Sequence, residues 1–295
     1  MRELVADLVR IGRFTRVAPY QRFAYVCGAL LIASGVFHGV VYLVDGGAWE
    51  GPLSWRKPIV FGLSFGIALA TVSWLMGFLR PRRWAGWLVL GLYTFASVGE
   101  VVLISMQTWR GVPSHFNEDP GFDGLVFSVM GLLVTVVAAL TVAVTIWALV
   151  RIDAPPSLAF AIRAGLVLML VSQMVGVQMI VEGDNTFGAA GALKVPHAVT
   201  LHAIQVLPAL ALLLLASELP ERRRLEVVGV GATGYAALIA STAVQAYSGH
   251  SPLDLGLVST VLAALGLGLL AVSAVFALRG VATRAHPPMG AQPGG

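Results

Sequence analysis

The 295-residue chain is poor in cysteine, lysine and charge: it holds one Cys and two Lys, and Asp, Glu, Lys and Arg together make 12% of it. A soluble domain carries about 25% charged residues. With Cys27 alone, and inside an apolar run, there is no disulfide framework, no CxxC redox pair and no thiolate cluster for zinc or iron–sulfur. Low charge combined with 57% apolar residues and a mean hydropathy of +0.83 excludes a water-soluble globule. The net charge of +4 is spread along the chain as arginine, without the basic blocks of a nucleic-acid binder, so nucleic acid is not an expected partner. No HExxH pattern is present and no DxxxD pair lies within an apolar run, which removes a two-His zinc helix and an in-span magnesium-diphosphate site.

Eight apolar runs are present, over residues 23–44, 58–79, 85–106, 125–150, 158–181, 199–216, 228–247 and 255–278. Each is close to the roughly 20 residues that cross a hydrocarbon layer as a helix, and none alternates with period two as a barrel strand would. The predicted class is therefore an all-α, polytopic transmembrane bundle of eight spans (23–278), preceded by an amphipathic inner-leaflet segment (1–22) and followed by a disordered tail (279–295). Fifteen arginines fall on one side of this topology, leaving Arg56, Lys57, Arg110 and Lys194 on the other. The positive-inside rule then places both termini in the cytoplasm. Arginine preferred over lysine points to a bacterial plasma membrane.

The halves of the chain echo each other. Gly51-x-Leu53 with Pro58 matches Gly191-x-Leu193 with Pro196, and Gln107-x-Trp109-x-Gly111 matches Gln245-x-Tyr247-x-Gly249, at offsets of about 138 to 140 residues. A four-plus-four parallel duplication follows as an expectation. Gly62 and Gly66 have the spacing of a helix contact, as do the glycines around Gly231 and Gly234.

Ionisable groups inside spans are costly, about 2.5 to 3.5 kcal/mol on insertion scales, and so point to function. His38, Glu100 and His202 all fall at depths of roughly 7 to 10 Å below the outer surface at 1.5 Å per residue. A shared site of His38, Glu100 and His202 would suit a transition metal, and His38 opposite His202 would suit a haem. The inner halves of the same spans read as apolar, which speaks against a continuous polar pore. His115 and His197 are expected beside the site, with Glu100 as the third catalytic candidate. Arg56, Lys57, Trp109, Arg110, Gln178 and Lys194 are expected to hold an anionic or lipid-like molecule, or lipid headgroups. Pro208 is expected to break the sixth span.

Eight spans, a four-plus-four pattern and outward histidines resemble, in outline, membrane haem enzymes of the haem A synthase type. Their histidine pairs in both halves and their outer-loop cysteine pair have no counterparts in this sequence, so no residue roles carry over. The leading sequence reading is a membrane metal- or haem-dependent redox enzyme. The alternatives are a proton-coupled transporter using Glu100 and His202, and a membrane scaffold or receptor.

Overall fold

The computed structural model describes residues 17–117 and 121–285. Eight of its helices are long and apolar enough to span a membrane. The protein is an all-α integral membrane protein with several membrane passes. Most of the amphipathic segment expected at the N-terminus lies outside the described residues. The remainder, with the tail, differs from expectation: the first span opens at Pro19, and the last helix runs on to Ala285.

The described residues fall into two units that divide between Ile152 and Asp153. The first holds α1 (Pro19–Asp45), α2 (Arg56–Leu79), α3 (Arg83–Trp109) and α4 (Phe122–Val150). Its helices alternate in direction, so Arg80, Arg82 and Arg83 mark one end and the longer loops mark the other. At the arginine-rich end, Gln21 accepts the Ala18 N–H at 3.0 Å and donates to the Ser73 carbonyl at 2.6 Å, tying the start of α1 to α2. Farther along, glycines let the α1 and α2 backbones touch. A Cβ on Gly66 would lie 2.6 Å from the Gly28 carbonyl oxygen, and one on Gly62 would lie 2.8 Å from the Gly35 nitrogen. These are the contacts anticipated for Gly62 and Gly66.

The second unit holds α5 (Pro156–Glu182), a hairpin of β1 (Thr186–Phe187) and β2 (Gly191–Ala192), α6 (Lys194–Leu201), α7 (Ala203–Leu215), α8 (Glu221–Tyr247) and α9 (Leu257–Ala285). The sixth span, Lys194–Leu215, is thus two helices. Its break lies at His202, and Pro208 sits inside α7, a correction to the expected position. Pro208 cannot donate to the Ile204 carbonyl and its ring crowds that group, so the disturbance falls in the turns that precede it. Gly234 packs against α9, where a Cβ would lie 2.9 Å from the Gly266 carbonyl oxygen.

The first turn of α5 is capped from a distance: the Ser157 N–H donates to the Glu221 carboxylate at 2.7 Å, at the start of α8. Removing that acceptor orphans a helix-terminal N–H. Glu221→Ala should therefore cost about 1–2 kcal/mol, read as a lower thermal midpoint in detergent by circular dichroism.

The helix pairs in contact correspond between the units. The first and second spans, second and third, first and third, and third and fourth pack together in each, with one additional contact of α7 with α9 in the second unit. Local geometry repeats at an offset of 138. Trp55 and Leu193, which precede α2 and α6, have φ/ψ of −63°/−21° and −58°/−27°. The third span of each unit ends in the same turn. Gly111 and Gly249 have φ of 69° and 72°. The N–H of Arg110 bonds to Met106 and that of Val112 to Gln107, while Ser248 bonds to Val244 and His250 to Gln245. Positive φ makes this a glycine position.

Candidate functional site

The buried face of α3 carries most of the polar chemistry of the first unit. Leu90, Tyr93, Thr94, Ser97, Glu100, Val101, Ile104 and Gln107 recur at helical spacing and are all buried. Glu100 is 0% exposed, and neither carboxyl oxygen has a hydrogen-bond partner among the described residues. The Thr94 and Ser105 hydroxyl oxygens are likewise buried without partners. Toward the arginine-rich end, Ser97 donates to the Tyr93 carbonyl at 2.8 Å, Tyr93 hydrogen-bonds Thr141 of α4, and Thr145 donates to the Thr141 carbonyl at 2.7 Å. Toward the loop end, buried Gln107 donates to Asp123 at 3.1 Å. Polar side chains thus line the interior of the first unit along most of its length. In the inner half of the third span Tyr93, Thr94 and Ser97 depart from the apolar character expected there, and Thr141 and Thr145 of the fourth join them on a buried face that only the packing shows.

At the loop end His38 is buried and fully engaged. Its Nδ1 faces the Ser34 carbonyl at 2.8 Å, so Nδ1 carries the proton, and its Nε2 accepts the Trp109 indole N–H at 3.1 Å. Trp55 closes the group, 5.0 Å from Trp109 between ring centroids. With both nitrogens committed to protein groups, His38 offers no lone pair to a metal or haem iron. Among the described residues, no group of three or more His, Cys, Asp or Glu side chains could hold a metal ion. As placed, His38 is therefore a hydrogen-bonding group rather than an open ligand.

The expected anion clamp is largely occupied. Arg110 pairs with Asp123 at 2.5 Å, donates to Gln107 and lies over the Phe122 ring. Arg56 pairs with Glu50 at 3.4 Å, and Lys57 donates to the Pro52 carbonyl at 2.9 Å. His115 packs on Phe61, 5.1 Å between ring centroids, with Ser114 Oγ at 3.0 Å from its Nδ1. Burial, and then the charge on Lys57, lower the His115 ring to about 4 from the usual 6.5. The unfolded chain takes up this proton near pH 6.5 and the folded one only near 4. Stability contributed by the neutral ring is complete above pH 6.5 and is lost as pH falls toward 4. His115→Phe should flatten this acid limb in thermal-unfolding curves between pH 7 and 4.

Gln178, Lys194, His197 and His202 belong to the second unit, His38 and Glu100 to the first. His197 has its Nδ1 2.8 Å from the Ser172 carbonyl, and Ser172 Oγ donates to the His197 carbonyl at 2.7 Å. Ser34 and Ser172 are 138 residues apart, so each unit holds an imidazole on the equivalent carbonyl, from its first span in one case and from α6 in the other. Gly176, the counterpart of His38, leaves room for it: a Cβ there would lie 3.2 Å from the His197 ring. His202 Nδ1 lies 3.3 Å from Gln205 Oε1 at the helix break. Lys194 opens α6. Gln178 accepts from the Tyr247 hydroxyl at 2.6 Å.

Sequence reasoning missed Asp123, Tyr93, Thr141 and Ser172. Asp123 was legible as the acidic residue of the first turn of α4, but its partner Arg110 lies across a loop. Comparisons with protein-family models, curated proteins and solved structures find no match.

Proposed function

We propose that the protein couples proton movement to transport across the membrane, with Glu100 as the group that takes up and releases the proton. One observation carries this reading: a carboxyl group fully buried in a membrane-spanning bundle, both oxygens without partners. An ionised carboxylate in such a place is costly unless paired, so the pocket as built accommodates the neutral acid. Ionisation then requires a change in surroundings, such as the arrival of water or of a cationic group. That dependence is what a proton-coupled cycle needs from its carrier.

The neighbouring side chains support the reading. Ser97, Tyr93 and Thr141 offer hydroxyls on one side of Glu100, and Gln107 and Asp123 offer polar groups on the other. The engagement of both His38 nitrogens favours this reading over the metal-dependent redox one. The test is reconstitution into vesicles enclosing a pH-sensitive dye. An imposed pH gradient should dissipate faster than in protein-free vesicles, and candidate solutes should change that rate. Gradient decay no faster than in empty vesicles across a solute panel overturns the proposal.

A further inference from the structure

The second unit has a half-open pocket of about 320 Å³ between α5, α6 and α8. Its walls include Met174 and Gln178 from α5, Thr200 from α6, and Ile239 and Tyr247 from α8. Most of this surface is hydrocarbon, with two exceptions. Thr200 is 1% exposed, and its hydroxyl has no hydrogen-bond partner among the described residues. The Gln178 amide oxygen accepts from Tyr247, and its amide N–H groups have no hydrogen-bond partner among the described residues. Two unused donors therefore border one apolar space.

The internal repeat explains why space exists here. In the first unit, Gly35 and Gly62 bring α1 and α2 into backbone contact. Their counterparts at the offset of 138 are Gln173 and Thr200. In the second unit Gly165 approaches Ile204, where a Cβ on the glycine would lie 2.7 Å from the Ile204 Cα, and α5 meets α6 again where Ser172 and Gly176 face His197. Side chains thus stand where the first unit has glycines, and Thr200 borders the pocket.

We infer that this cavity is a binding site for a small lipophilic molecule bearing a carbonyl acceptor, which takes hydrogen bonds from Thr200 and Gln178 while its hydrocarbon body fills the remainder. Donors left unpaired in an apolar site favour a ligand that satisfies them over one that does not. The pocket is of a size to take a ring compound. The site stands on its own geometry, independent of the role given to Glu100.

Benzophenone is both a suitable ligand and its own reporter, because on irradiation its carbonyl inserts into neighbouring C–H bonds. Full-length protein in nanodiscs should be labelled saturably at cavity residues, Met174 above all, as mapped by peptide mass spectrometry. Fluorenone should compete and fluorene, which lacks the carbonyl, should not. Gln178→Leu combined with Thr200→Val should reduce labelling at least fivefold while elution as a folded species is kept. Thr200→Phe, which fills the space, should do the same, and Glu100→Gln should label as the parent does. Non-saturable labelling spread over lipid-facing residues, or equal competition by fluorene, overturns the inference. A several-fold rise in labelling in ether-lipid nanodiscs over ester-lipid ones assigns the cavity to a lipid acyl ester and overturns it equally.

Discussion

Glu100→Gln should reduce proton movement in vesicles to the level of protein-free membranes, and Glu100→Met should do the same while making the protein more stable. The first result follows because glutamine preserves shape but cannot ionise. The second follows because a buried carboxyl with no partner opposes folding. Substituting an apolar side chain of similar length removes that penalty, about 1–3 kcal/mol, visible as a higher thermal midpoint or greater resistance to denaturing detergent. A structural carboxyl would behave in the opposite way, losing stability on substitution. Loss of function with gain of stability is therefore the signature of a functional group retained at a cost. Glu100→Met that destabilises the fold, or Glu100→Gln that carries protons at the parental rate, would count against the carrier role.

Gly66→Leu should lower the unfolding free energy by about 3 kcal/mol, the upper part of the overpacking range. A Cβ at this position would lie 2.6 Å from both the Gly28 carbonyl oxygen and the Ile32 Cγ1, and 3.0 Å from the Ile32 nitrogen. Backbone cannot swing aside as a side chain can, so α1 and α2 must separate along the whole seam. Gly39 and Gly91 provide controls on the same set of helices, since a Cβ at either meets nothing within 4 Å. Leucine at these two positions should be nearly neutral in the same detergent-denaturation assay. Equal losses at Gly66 and Gly91 would show that the close approach of α1 and α2 is not what glycine protects.

The fold was largely legible because bilayer thickness sets a length that a one-dimensional scan can detect. All eight runs became spans, and the break at His202 was misplaced because a proline acts on the turns before it. The site was less legible. Placing His38, Glu100 and His202 at one depth uses only helical rise, and depth says nothing about azimuth or about which helices adjoin. Glu100 was singled out by its cost in hydrocarbon, whereas the commitment of both His38 nitrogens depends on Trp109, 71 residues away. Arg110 looked free for the same reason, since Asp123 reaches it only after the loop folds back.

The paired imidazoles also bear on how the two halves compare. Ser34 and Ser172 present equivalent carbonyls, yet the ring that binds each is carried by a different member of the helix pair. Column-by-column alignment of the halves would set His38 against glycine and His197 against isoleucine as two unrelated mismatches. In three dimensions both rings meet the same kind of backbone acceptor, so a substitution scan that moves the ring from one helix to its neighbour can keep the bond.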